Sequence, residues 1–197
     1  MVSHGQLPIS RGFDESLAML GGGSDHFTNS IGFAVDLWLN DRPAHDVSRS
    51  NTSADERYTD FMVRAIETHD PNRPLFAWLS LQDVHEPLGQ APARFADKVG
   101  ATFCAVSGHP IQCGWAMLAE ADEMVGRVES ALKGRGMWER TLMLVTSDKC
   151  AAAPLPSGTR RYPLLSGCAC TCGETMQRWS RNARVQCSVT WLQRDRL

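Results

Sequence analysis

The chain has 197 residues, of which 43% are hydrophobic and 21% are charged, and its formal net charge is −2. This length and composition predict one globular domain with a sizeable core. The small net charge gives no reason to expect nucleic acid as a partner, and no apolar run reaches the length of a membrane span. The first residues, MVSHGQLPISRGFD, also lack the charged and apolar regions of a signal peptide.

The first regular element that the sequence predicts is a helix over residues 54–69, after a mostly irregular start. Ser53 followed by Glu56 has the spacing of a capping box, in which each side chain satisfies a free backbone N–H of the first turn. We expect the helix to end before Pro71, because the residue preceding a proline is disfavoured in the α conformation. Residues at helical spacing predict one packed face, namely Tyr58, Phe61, Met62, Ala65, Ile66 and His69.

A nearly continuous apolar run, LFAWLSL at residues 75–81, predicts a strand next. Its length suits a strand that is buried on both faces in the middle of a parallel sheet. The run stops at Asp83, His85 and Glu86, and open α/β sheets bind ligands just beyond the carboxyl ends of their strands. An ordinary solvated loop is the alternative interpretation, since loops are polar in any case.

A second helix is predicted over residues 113–133 and a second strand over residues 141–146. The helix carries an apolar stripe and a glycine, Gly134, at its C-terminal cap position. Two buried strands alternating with helices predict an α/β fold with a parallel sheet, with the second helix packed across it. The stripe consists of Leu118, Ala121, Val125, Val128 and Leu132.

Short segments in one order along the chain resemble the type I sulfatases of the arylsulfatase B kind, in the alkaline-phosphatase superfamily. They are RGFD at residues 11–14, YTDF and RAIE within 58–67, LSLQDVHEPL at 79–88, VGRV at 125–128 and TSD at 146–148. The resemblance covers residues 11–148. It implies a mostly parallel central sheet flanked by helices, and hydrolysis of sulfate esters on a sulfated small molecule or glycan, as in arylsulfatases and N-acetylgalactosamine sulfatases.

The resemblance also assigns two site residues. His85 matches a histidine that contacts the sulfate ester and can assist the leaving group as a general acid. Asp148 matches a ligand of the family's Ca²⁺, a cation that prefers oxygen ligands. Lys149 stands where the family has asparagine, so we expect charge repulsion to weaken calcium binding.

Other parts of the family site have no match in this chain. The family's formylglycine nucleophile is made from Cys or Ser in the motif C/S-x-P-x-R, and no such motif occurs in the sequence. The remaining metal ligands and a lysine–histidine pair belong to segments that would precede residue 1. In a later segment that resembles the family, Leu165 and Cys168 replace an arginine and a sulfate-binding lysine. We therefore expect no nucleophile and little or no activity in this chain alone.

The composition changes after Asp148. Residues 149–197 contain 8 of the 20 Lys and Arg residues but only 2 of the 22 Asp and Glu residues. We therefore predict a partial sulfatase domain at 1–148 and a divergent basic tail at 149–197 that is poorly ordered. Two alternatives for function stay open: a non-catalytic remnant that binds a sulfated ligand or partner, and a phosphate-ester hydrolase of the same superfamily. Members of the family are usually lysosomal or extracellular.

Overall fold

The structure is a computed structural model that describes residues 4–45, 52–88, 90–100, 110–146 and 190–194. Within these described residues there are three α-helices and seven strands, besides 3-10 turns at His4–Gln6, Pro8–Arg11 and Trp138–Arg140. The helices are α1 (Ala54–Thr68), α2 (Ala93–Lys98) and α3 (Pro110–Gly134). The strands are β1 (Glu15–Ala18), β2 (Ser30–Ile31), β3 (Ala34–Val35), β4 (Trp38–Leu39), β5 (Arg42–Pro43), β6 (Leu75–Trp78) and β7 (Thr190–Arg194).

Five of the strands form one sheet in the order β5-β4-β1-β7-β6, and β2 pairs with β3. The mixture of helices and sheets agrees with the predicted α/β class. The expected parallel arrangement is not found, because every pairing among the described strands is antiparallel. The reason lies in β7, which pairs with both β1 and β6 and thereby separates two strands that run in the same direction. Trp191 is aligned with Ser16 on one side and with Trp78 on the other.

Strand β6 is shorter and more exposed than the sequence predicted. It ends at Trp78, and the side chains of Phe76 and Trp78 are 43% and 38% exposed. The prediction of burial on both faces is therefore wrong for this strand. It lies at the edge of the described sheet and pairs there with one strand only, β7.

Residues 141–146 do not form a strand, which corrects the second strand prediction. Leu142 and Leu144 are 83% and 75% exposed, while Met143 packs against the main core. An apolar run becomes a buried strand only where neighbouring strands pair with it and cover it. No strand in the described part of the chain pairs with this segment.

Helix α1 follows the sequence closely. Ser53 Oγ accepts a hydrogen bond from the Glu56 backbone N–H at 3.1 Å, and the Ser53 N–H donates to Glu56 Oε2 at 3.0 Å. Both halves of the predicted capping box are therefore present. His69 is buried with its Nε2 2.9 Å from the Arg73 carbonyl oxygen, as expected for a packing residue. The predicted apolar residues of the face are all buried, namely Tyr58, Phe61, Met62, Ala65 and Ile66.

Helix α3 is longer than predicted, and its buried face is displaced from the apolar stripe that the sequence predicted. Leu118, Ala121 and Val125 are only half-buried, whereas Val128 and Leu132 are buried as expected. The displacement arises because the two halves of the helix pack against different partners: its C-terminal half joins a core with α1, and its N-terminal half joins a second core with Phe95 of α2. The fully buried positions are Cys113, Ala116, Met117, Glu120, Met124, Val128 and Leu132.

Strand β7 is the described portion of the basic tail, and residues 147–189 lie outside the described residues. The predicted disorder of the tail therefore stays a prediction for that part of the chain. Among the described helices, none is long and apolar enough to cross a membrane.

Candidate functional site

The candidate site is the loop that follows β6, residues 79–88, and its backbone is held by one buried carboxylate. Asp55 accepts a hydrogen bond from the Gln82 N–H at 2.6 Å and another from the Asp83 N–H at 2.8 Å. Asp55 is 1% exposed and lies in the first turn of α1, where the helix dipole favours a negative charge. The start of α1 thus anchors the start of the loop.

His85 lies at the exposed end of this loop. Its backbone N–H donates to the Gln82 carbonyl oxygen at 2.9 Å, which closes a turn, and its ring Nδ1 lies 2.8 Å from the Glu86 carbonyl oxygen. A carbonyl oxygen can only accept, so Nδ1 carries the hydrogen and Nε2 is left for another partner. Gly23 passes beside the ring, since a Cβ on this glycine would lie 3.6 Å from the His85 Cε1. The half-buried imidazole is therefore oriented by its own loop.

Beneath the loop lies a buried cluster of ionisable side chains, which we call the acid cluster: Asp55, Asp83, Glu120 and His26. Asp83 Oδ1 lies 3.2 Å from His26 Nδ1, and the Ser53 hydroxyl hydrogen-bonds to Glu120 Oε1. All four members are at most 3% exposed. Neither His26 Nε2 nor Glu120 Oε2 has a hydrogen-bond partner in the described part of the chain.

Burial determines the protonation of the acid cluster. It raises the pKa of Glu120 to about 9, with the charges of Asp83 and Asp55 acting in the same direction. Burial also raises the pKa of Asp83 well above its ordinary value, and it lowers the pKa of His26. Burial thus disfavours charge on both partners of the 3.2 Å contact between His26 and Asp83.

The pKa of Asp55 is raised for the same reason, although its hydrogen bonds and the charge of His26 act against the rise. Burial is the largest cause, and the N–H groups of Gln82 and Asp83 stabilise the charged form and pull the pKa down. Asp55 is an acceptor in either protonation state, so it can hold the loop backbone whether or not it carries a proton.

The family calcium has no site among the described residues. No group of three or more His, Cys, Asp or Glu side chains in that part of the chain could hold a metal ion. Asp148 and Lys149 lie outside the described residues, as do Leu165 and Cys168. The structure therefore locates His85, whereas the place of Asp148 lies outside the described residues.

The sequence analysis missed three members of the acid cluster. Acidic residues are common in the first turn of a helix, so Asp55 gave no functional signal. His26 lies in an irregular segment between short strands, where no spacing links it to Asp83. Glu120 did leave a signal, since it stands between Met117 and Met124 on the buried face of α3. A carboxylate inside an apolar stripe is rarely left without a partner.

Comparison with known proteins agrees with the motif pattern. The model of the family described as Sulfatase matches residues 8–164, a slightly wider range than the motifs indicated. Arylsulfatase J of Mus musculus is 33% identical over 163 residues, which is 80% of this chain and 26% of that protein. The arylsulfatase of Klebsiella aerogenes is 33% identical over 92 residues, or 45% of this chain and 20% of that protein. The chain thus spans about a quarter of the length of these relatives or less, and it belongs to the sulfatase family.

Proposed function

We propose that this chain is part of a sulfuric-ester hydrolase in which His85 faces the sulfate ester of the substrate. The observation that carries the proposal is the placement of His85. Its ring lies on the loop beyond the carboxyl end of β6, half-buried, with Nδ1 held by the Glu86 carbonyl oxygen. A sulfatase family match across this loop supports a sulfated small molecule or glycan as the substrate class.

The proposed role of His85 is to donate a proton to the leaving group. Cleavage of a sulfate ester leaves negative charge on the ester oxygen, and a proton delivered to that oxygen lowers the barrier. In the protonated ring, Nδ1–H is held by the Glu86 carbonyl oxygen, so Nε2–H is the donor that can reach the substrate. Imidazole suits this role because it changes charge near neutral pH.

Asp148 is our proposed contact to calcium, on the strength of its family motif. When bound in a sulfatase, calcium stabilises the negative charge of the sulfate group.

We further propose that the 197-residue chain does not hydrolyse sulfate esters by itself. None of its Cys or Ser residues stands in a C/S-x-P-x-R motif, so none can become the formylglycine nucleophile. The same observation favours a second candidate function: a non-catalytic protein that uses the His85 loop to bind a sulfated ligand or a partner. Both candidates use the His85 loop as the binding surface.

Binding at His85 can be measured directly by NMR. We expect p-nitrophenyl sulfate to shift the His85 Cε1–H signal saturably, with His85→Ala used to assign that signal. The buried His69 serves as an internal control, because its Nε2 is already bound to the Arg73 carbonyl oxygen and its signal should not move. Absence of a His85 shift would refute the sulfate-binding role. A larger shift with p-nitrophenyl phosphate would favour a phosphate-ester hydrolase of the same superfamily instead.

A further inference from the structure

The connection between His85 and the folded core runs through a short series of hydrogen bonds. The His85 N–H donates to the Gln82 carbonyl oxygen, and the Gln82 N–H donates to the Asp55 carboxylate. The Asp83 N–H donates to the second oxygen of the same carboxylate. The first two residues of the turn that presents His85 are thus held by one side chain of α1.

Side-chain contacts around the same turn hold it less directly. The Gln82 side chain donates to the Ser24 carbonyl oxygen, and the Asp83 side chain meets His26. These contacts involve the side chains of Gln82 and Asp83, whereas Asp55 binds the backbone N–H groups of the same two residues. In addition, Asp55 lies on a capped helix of 15 residues, which is a rigid support.

We propose that Asp55 is a positioning residue for the sulfate-binding site: its carboxylate fixes the backbone at Gln82 and Asp83 and thereby sets the place of the His85 ring. This inference rests on the proposed function, because His85 is the group being placed. Asp55 is buried and so does not touch the substrate.

The replacement Asp55→Asn tests this role, because it changes the acceptor atoms of one side chain and leaves the other residues of the helix as they are. Asparagine has nearly the same shape, but its single carbonyl oxygen can accept one of the two N–H groups and its NH₂ faces the other. We expect amide hydrogen exchange at Gln82 and Asp83 to become about 10- to 100-fold faster, in keeping with the loss of one buried hydrogen bond. The His85 Cε1–H signal should move in the absence of any ligand.

The matched control is Asp60→Asn, on the exposed face of the same helix, where Asp60 pairs with Arg127. It should leave the exchange at Gln82 and Asp83 and the His85 signal as in the parent chain. Exchange at Met62 and Ile66, inside α1, reports whether the helix itself has been disturbed. Unchanged loop exchange in Asp55→Asn, or an equal increase throughout α1, would overturn the inference.

A second variant keeps the test decisive if Asp55→Asn does not fold. Asp55→Glu retains both acceptor oxygens and moves them by one methylene group, so it should keep the two amides protected while displacing the His85 signal. A His85 signal identical to that of the parent chain would contradict the positioning role.

Titration with p-nitrophenyl sulfate distinguishes the two proposals. If the parent chain shows no ligand-induced shift, the proposed function fails while the effect of Asp55 on the unliganded His85 signal can still be seen. If the parent chain binds and Asp55→Asn binds equally well with the same His85 signal, the positioning inference fails and the proposed function stands.

Discussion

Glu120 is the side chain through which pH acts most directly on the stability of this fold. It is 1% exposed, and burial raises its pKa from 4.5 in the unfolded chain to about 9 in the folded one. The folded state therefore binds a proton that the unfolded state has lost over this interval. The stabilisation from that proton is fully present below about pH 4.5 and is lost as the pH rises toward the folded-state pKa.

Glu120→Gln should remove much of this pH dependence, because glutamine imitates the protonated acid at every pH. We expect the variant to be more stable than the parent chain by several kcal/mol at about pH 8.5 and to have nearly the same stability at about pH 5, as measured by urea unfolding. Glu129→Gln, on the same helix and paired with Lys133, is the control. Parallel stability curves for Glu120→Gln and the parent chain would contradict the assignment of the raised pKa.

The buried His26 makes stability depend on pH in the opposite sense to Glu120. The test therefore compares Glu120→Gln with the parent chain at each pH. Burial lowers the pKa of His26 below 6.5, so its contribution to stability is lost as the pH falls below the unfolded-state value. Since this contribution is present in both chains, it largely cancels in the difference between Glu120→Gln and the parent.

The sequence located His85 but not the residues that hold it. An apolar run that ends at a histidine is visible in a window of about ten residues, which is why that prediction could be made. The contacts from Asp55 to Gln82 and from His26 to Asp83 join residues that are far apart in the chain. Such contacts depend on tertiary structure, and no local pattern records them.

At the scale of whole elements, helices were easier to predict than the sheet. The capping box at Ser53 and the apolar face of α1 are local, and both are found in the structure. The neighbours of β6 are not local: β7 comes from a tail segment without periodicity and lies more than 100 residues away in the sequence. The sequence therefore suggested a parallel neighbour at residues 141–146, and the structure has an antiparallel one at Thr190–Arg194.

Truncation tests whether β7 supports the sheet. A chain ending at Val189 lacks the strand between β1 and β6, so we expect faster amide exchange in β6 and a lower urea midpoint than in the parent. A chain ending at Arg194 keeps β7 and is the matched control, with exchange like that of the parent. Equal protection of β6 in the two truncated chains would show that β7 contributes nothing to the sheet.

At the scale of the molecule, family membership and activity rest on different residues. The sulfatase match extends over residues 8–164, and the His85 loop is built and anchored within it. The nucleophile motif of the family is missing from the sequence, and the proposed calcium ligand Asp148 lies outside the described residues. A proton donor acting without nucleophile or metal contributes only about 10²–10⁴-fold to a rate. We therefore propose that this sulfatase-family chain presents His85 to a sulfated group but does not hydrolyse the sulfate ester.

The most direct measurement is an assay of the purified 197-residue chain with a chromogenic aryl sulfate in excess calcium. We expect product to form no faster than with His85→Ala. Turnover by the parent chain above that of His85→Ala would refute the proposed inactivity, because it would show that other residues of this chain supply a nucleophile.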